Sequence, residues 1–407
     1  MFGSVPDSTV GTIPHDHHRS RRAALNPYFS KASIRRLEPV ITETLDNLLQ
    51  RLDTCARNGE IMPLSAAYKA ATSDIITGYC FGESTGFLMR DDYNSPFFDA
   101  VAENFGLAWW MTHVPWLGPL LNSIPMNVQA MLMPGLDSLF RMQRRWIDQI
   151  EEIRSSKSVD HERDTIFHGI LNSELPDAEK TAHRMRQEAQ LLVQAGQDTT
   201  ATTLANLTFH LLANSVIFQK LKEELKAAFP NDHEHLTSAQ LEKLPYLSAI
   251  VQEGLRLHPG STMRMQRISP DESLVYHDPS KRQKWVIPAG TSVSMDPISI
   301  SMNSKIFPEP ERFLPERWMG NSRLERYLLT FSKGTRMCAG INLAYAELYI
   351  ILAGVFRKYD LYDRAAMQKT PTLALFETTR ERDVDIAFDL LVPFPTRGSK
   401  GIRAVVR

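Results

Sequence analysis

Cysteine is scarce: 407 residues hold only Cys55, Cys80 and Cys338. Their separation excludes a disulfide framework and a cysteine-rich metal site, and it suits a reducing compartment. A surplus of one charge is missing too, because 46 basic residues face 47 acidic ones. That balance removes the overall footprint of a nucleic-acid binder. No apolar run reaches the roughly 20 residues that a membrane span takes. Residues 1–14 are polar, without a basic stretch leading into an apolar one, so neither a signal peptide nor an anchor is expected there. Internal repeats, low-complexity tracts and a glycine-rich dinucleotide fingerprint behind a strand are also lacking.

What is present is 43% hydrophobic residues, enough to fill a large core. Periodicity predicts helices over residues 17–25, 30–52, 63–80, 131–153, 182–212, 214–228, 238–257 and 340–359, with Ser65 opening the third. Residues 284–295 read as strand, turn, strand, and the tail from 370 as short strands ending over 401–407. The stretch 307–318 carries too many prolines for a helix or central strand and must be an ordered meander. Residues 154–163 look like an exposed connection. The aromatic segment 97–121, broken by Pro115 and Pro119, is either a core helix with a loop or a substrate-access lid or membrane-dipping loop.

Four stretches carry chemistry. His18 and Arg22 share a face of a basic helix, which is either solvated or turned to an anion. Ala195-Gly196-Gln197-Asp198-Thr199-Thr200-Ala201-Thr202-Thr203 places a glycine and four threonines inside a helix about 45 Å long. Glycine alone costs about 1 kcal/mol there, so either a functional groove or a bare kink is expected, with the Thr199 hydroxyl released from the helical ladder. Glu253 and Arg256 stand at i,i+3, which alone reads as a surface pair. Finally, Phe331-Ser332-Lys333-Gly334-Thr335-Arg336-Met337-Cys338-Ala339-Gly340 holds one cysteine in a glycine-flanked loop ahead of a helix. Cys338 reads as a haem-iron ligand.

Ala-Gly-x-Asp-Thr-Thr, then Glu-x-x-Arg, then Phe-x-Pro-Glu-Arg-Trp, then Phe-x-x-Gly-x-Arg-x-Cys-x-Gly, in that order, resembles the haem-thiolate monooxygenases of the cytochrome P-450 superfamily. The likeness runs from His15 to the C-terminus, and its style is that of filamentous-fungal secondary metabolism. It implies one mainly α, large helical fold with small β-sheets over residues 1–407. It also implies that the family's N-terminal anchor and first sheet portion are absent, as in a truncated chain.

The implied cofactor is haem b, with Cys338 as axial ligand and its thiol pKa lowered by the helix N-terminus. Phe331 would pack near the sulfur, and Gly334 and Gly340 would let the backbone approach the porphyrin. His18, Arg22, Arg267 and Arg336 would meet the propionates, His18 standing where the family often has tryptophan. Asp198 and Thr199 would relay protons to bound dioxygen, and Glu253, Arg256 and Arg317 would form a structural ion network. Trp109, Gln194, Ala195, Met263 and the 392–395 loop are expected pocket walls. By the same resemblance, electrons come from NADPH through a partner flavin reductase, and the setting is the cytosolic face of the endoplasmic reticulum membrane. Without an anchor the cytoplasm is the alternative. The implied activity is insertion of one oxygen atom into a hydrophobic substrate; a haem-binding pseudoenzyme and a haem-thiolate isomerase or dehydratase are the competing readings.

Overall fold

A computed structural model describes residues 5–155, 165–231, 234–365 and 367–407. The helices in chain order are α1 (His15–Leu25), α2 (Lys31–Asn58), α3 (Leu64–Phe81), α4 (Ser95–His113), α5 (Leu117–Ser123), α6 (Met126–Leu132), α7 (Asp137–Ser155) and α8 (Ile166–Asn172). They continue as α9 (Ala182–Ala213), α10 (Ser215–Ala228), α11 (Ser238–Leu241), α12 (Pro245–Leu257), α13 (Pro297–Ser301), α14 (Ile341–Lys358) and α15 (Arg380–Asp383). The strands are β1 (Ile61–Met62), β2 (Met265–Ile268), β3 (Leu274–Asp278), β4 (Gln283–Ile287), β5 (Ser292–Met295), β6 (Asp360–Leu361), β7 (Thr372–Leu375), β8 (Phe388–Asp389), β9 (Pro393–Phe394) and β10 (Ala404–Val406). The mainly α architecture with small sheets is as the sequence implies.

Local chemistry accounts for the main boundaries. The Ser30 side chain accepts from the Ser33 N–H to open α2, and Gly59, at φ 69°, closes it in the left-handed region that glycine tolerates. Along α2 the buried residues Ile34, Leu37, Ile41, Leu45, Leu48 and Leu52 fall at helical spacing on the face turned to the core. At the centre runs α9, capped by the Thr181 side chain and buried over most of its circumference. It packs against α3, α7, α12 and α14. Its contact with α3 is close because Gly196 lacks a side chain: a Cβ there would lie 2.8 Å from Ile76 Cγ1. One hydrophobic core links these helices from Leu25 to Val406.

The structure departs from the sequence expectations where tertiary contacts decide. The pattern over 238–257 is broken, because Pro245 starts a new helix at its first turn rather than continuing α11. The strands within 284–295 do not pair with each other: β4 pairs with β3, and β5 with β2, all antiparallel. Ser65 does not open α3; its hydroxyl accepts from the Ile402 N–H at 2.9 Å and ties down the C-terminal segment. The pattern over 131–153 is split: residues 131–132 end α6, and α7 starts at Asp137 after the turn at Pro134. Residues 156–163 of the expected connection lie outside the described residues. The segment 5–12 is packed rather than trailing, with Ser8, Thr9 and Thr12 buried and the Thr9 N–H and hydroxyl both donating to Glu188 at 3.0 Å.

Candidate active site between the cysteine loop and the central helix

The cysteine loop is held by its own backbone. Cys338 N–H donates to the Phe331 carbonyl at 2.9 Å, and the reversal between them uses positive φ at Ser332 (59°) and Gly334 (76°). Gly334 therefore needs to be glycine. Gly340 does not, since its φ is −80° and a Cβ there would meet nothing within 4 Å, so the backbone turn gives no reason for glycine at 340. The Phe331 ring packs on Tyr345 at 5.4 Å, and Tyr345 on Tyr349 at 5.9 Å. Cys338 is exposed, yet burial pushes its thiol pKa up, against the Gly340 N–H and the Arg22 charge, which pull it down. A group both accessible and crowded lines a recess. The sequence argument expected a lowered pKa; crowding by protein outweighs the helix N-terminus for the free thiol.

Cationic groups from three segments gather beside this cysteine. His18 is buried on α1, and its pKa falls to about 4, first from burial and then from the charges of Arg336, Arg22 and His15. Arg336 is lowered by burial and by Arg267, and Arg22 by burial, while Arg22 feels the Cys338 sulfur. Their hydrogen bonds go to neutral acceptors. Arg336 donates to the Thr12 and Ile13 carbonyls at 2.7 and 2.9 Å, and Arg22 to Asn26 Oδ1 at 2.7 Å. Arg267, exposed on β2, donates to the Gln266 carbonyl at 2.8 Å and to Ser332 Oγ at 3.4 Å. Electrostatics thus link Arg22 to Cys338 directly, and His18, Arg336 and Arg267 to it through one another, with neutral acceptors in each of the arginine bonds.

The central helix runs unbroken through residues 195–203. The threonine hydroxyls bond back to the helix: Thr199 Oγ1 donates to the Ala195 carbonyl and Thr203 Oγ1 to the Thr199 carbonyl, each at 2.9 Å. Ala195 is exposed although it lies mid-helix. Asp198 is buried and paired with Lys69 Nζ at 3.2 Å, while Gln197 Nε2 donates to its other oxygen at 3.1 Å. Lys69 belongs to a stripe on α3: Thr72 Oγ1 donates to the Gln197 carbonyl at 2.9 Å, Ser73 Oγ to Gln197 Oε1 at 3.3 Å, and Ile76 fills the notch at Gly196. Sequence reasoning missed Lys69, which reads as a polar position on an amphipathic helix. The residue spacing i, i+3, i+4, i+7 was the available signal.

Of the expected pocket walls, Met263 joins Ala108 and Leu391 in a small apolar cluster. Trp109 packs on Trp110 and His113, and Gln194 is buried. Gly260 lies against Thr199, where a Cβ would come within 2.8 Å of Thr199 Cβ.

The ion network is more complete than the sequence suggested. Glu253 Oε1 accepts from Arg256 Nη2 (2.8 Å), Arg317 Nε (3.0 Å) and the Leu314 N–H (2.9 Å). Its Oε2 accepts from Arg256 Nε (2.9 Å) and from the Trp318 indole (2.8 Å), the last residue of the Phe-x-Pro-Glu-Arg-Trp motif, to which no place in the network had been given. Arg256 and Arg317 spend their remaining donors on the carbonyls of Ser301, Arg312, Pro308 and Glu309.

Known proteins resemble this chain in sequence and fold. The Cytochrome P450 family model matches residues 7–380. The cytochrome P450 monooxygenase tpcC of Cochliobolus heterostrophus is 42% identical over all of this chain and 77% of its own length. The N-acetyltryptophan 6-hydroxylase ivoC of Emericella nidulans is 38% identical over 99% of this chain and 76% of its own length. A crystal structure of a cytochrome P450, 18% identical, superposes with a TM-score of 0.76 over all of this chain and 82% of that one, which speaks for the fold. Among the described residues no single helix is long and apolar enough to cross a membrane. With the family match spanning most of the sequence, the chain belongs to the cytochrome P450 family and is a haem-thiolate monooxygenase.

Proposed function

We propose that the chain holds haem b through the Cys338 thiolate and inserts one oxygen atom into a hydrophobic small molecule, with electrons drawn from NADPH through a partner flavin reductase. The observation that carries this reading is the set of basic side chains near Cys338 that have no carboxylate partner among the described residues. His18, Arg22, Arg267 and Arg336 suit the two propionates of haem, which would supply the anions that these side chains lack. Ligation to a metal would also remove the thiol proton that crowding otherwise favours. The bound haem supplies an iron at which dioxygen is activated, the thiolate pushing electron density toward it.

On the α9 side the chain moves protons. The Thr199 hydroxyl spends its hydrogen on the Ala195 carbonyl, so its lone pairs remain to accept from a water. Asp198, held by Lys69, is the acid of the pair, and Lys69, half-buried, connects it to the outside. Phe331 would pack near the sulfur of the haem-bound chain, and the Glu253 network fixes the meander that carries Arg317. The reductase would dock on the cysteine side, and the working place is the cytosolic face of the endoplasmic reticulum membrane.

Two relatives named as a tryptophan 6-hydroxylase and an N-acetyltryptophan 6-hydroxylase make indole compounds the first substrates to try. The test is turnover under isotopically labelled dioxygen with NADPH and a flavin reductase, across an indole and polyketide panel. One labelled oxygen atom per product molecule is expected. Products without the label, formed equally without NADPH, would show isomerase or dehydratase chemistry instead.

A further inference from the structure

Three glutamines and an arginine form a line of hydrogen bonds that none of the roles above uses. Arg186 Nη1 donates to Gln143 Oε1 at 3.1 Å, Gln143 Nε2 to Gln190 Oε1 at 2.9 Å, and Gln190 Nε2 to Gln194 Oε1 at 3.5 Å. Gln143 comes from α7, the others from α9, and the three amides are 4%, 1% and 9% exposed. The direction of the line is dictated at its root. A guanidinium only donates, so Gln143 must turn its oxygen to Arg186, and each later amide must follow, since a flipped one would set donor on donor. The far end is therefore an N–H. Gln194 Nε2 is buried and has no hydrogen-bond partner among the described residues.

A buried donor left unpaired costs stability, so its presence calls for a partner. Its place says which kind. Gln194 directly precedes Ala195, whose side chain is exposed in the middle of a buried helix, and it lies one turn before Asp198. The line begins at a cation with no carboxylate partner among the described residues, and each bond polarises the next in the same sense. The terminal N–H is thus made more acidic than that of an ordinary amide.

Resting on the reading above that an apolar substrate lies against this part of α9, we propose that the Gln194 amide is a substrate-reading donor, binding a carbonyl or carboxylate oxygen on an otherwise hydrophobic substrate. The enzyme would then discriminate among molecules of similar size by that one oxygen. Arg186 and Gln143 are positioning residues: they touch no substrate and act by aiming and polarising Gln194.

The experiment titrates the haem-loaded chain with three indoles of matched length, following the Soret shift: 3-propylindole, 4-(indol-3-yl)butan-2-one and indole-3-propionic acid. Imidazole, titrated first, reports whether the haem site is intact. The acid and the ketone should bind about tenfold or more tighter than the alkyl compound, the scale of one buried hydrogen bond. Gln194→Leu should erase that preference, bringing the three compounds to similar affinity, and Gln194→Glu should reverse it for the acid. Arg186→Met should weaken the acid more than the ketone, a selectivity that a merely structural role would not touch. Absence of any preference in the wild-type chain, or a preference that survives Gln194→Leu, overturns the proposal, the donor then serving only a buried water. Failure of imidazole to shift the Soret band would instead sink the haem-thiolate reading itself.

Discussion

Two charged clusters in this molecule are built on opposite terms. Around Glu253 every charge is answered within the chain: the carboxylate takes donors from Arg256, Arg317, Trp318 and the Leu314 N–H, all at 2.8–3.0 Å. Around Cys338 the cations of Arg22, Arg267 and Arg336 meet carbonyls, a hydroxyl and a side-chain amide, with His18 buried beside them. A buried charge balanced by its own protein holds shape, and one left unbalanced waits for a partner. We read the first cluster as a brace and the second as a receptor.

The comparison can be broken by substitution. The largest effect is expected for Cys338→Ala: without a thiolate the receptor keeps its cations but not its iron ligand, so turnover should be abolished and the haem spectrum should lose its thiolate signature. Glu253→Ala should come next, destabilising the chain by about 3–5 kcal/mol in chemical denaturation, with or without haem, because it strands two buried arginines. Arg336→Ala should behave oppositely. Haem should leave about 10–100-fold more readily in transfer to an acceptor globin, while the haem-free chain loses no more than about 1 kcal/mol. Equal losses of folding stability from Glu253→Ala and Arg336→Ala would erase the distinction between brace and receptor.

Smaller effects sharpen it. Lys69→Met leaves Asp198 with Gln197 alone, so product formed per NADPH consumed should fall severalfold, with the haem spectrum intact. For His18 the sign follows from its lowered pKa. The unfolded chain takes up a proton near the ordinary value of 6.5 while the folded chain refuses it until about 4, so the haem-free chain should lose stability as pH falls through that window. His18→Gln should flatten the slope, and so should bound haem, whose carboxylates would favour the charged imidazole. Denaturation midpoints across that range measure both.

Much of this was legible in the sequence because the informative residues are close in the chain. The cysteine loop, the 195–203 stretch and Glu253 with Arg256 are local patterns, and helices announced themselves by period. What was hidden arises between elements. Lys69 and Asp198 are brought together only by α3 packing on α9, and Gln143 meets Gln190 only because α7 crosses α9. The Trp318 indole reads as one more aromatic until Glu253 is seen to receive it. The β3–β4 and β2–β5 pairings were misjudged for the same reason: strand neighbours are chosen by tertiary contact, not by adjacency alone. The cost of Gly196 and the threonines in mid-helix was legible from propensity, but the close approach of Ile76 and the hydroxyl back-bonds were not.

The central claim is that the Cys338 loop and its surrounding cations form a native haem-thiolate site. The most direct measurement is the carbon monoxide difference spectrum of the reduced, haem-loaded chain. A strongly red-shifted Soret band, lost in Cys338→Ala, is the predicted result. A band without that shift in the wild-type chain, or one unchanged in Cys338→Ala, would contradict it.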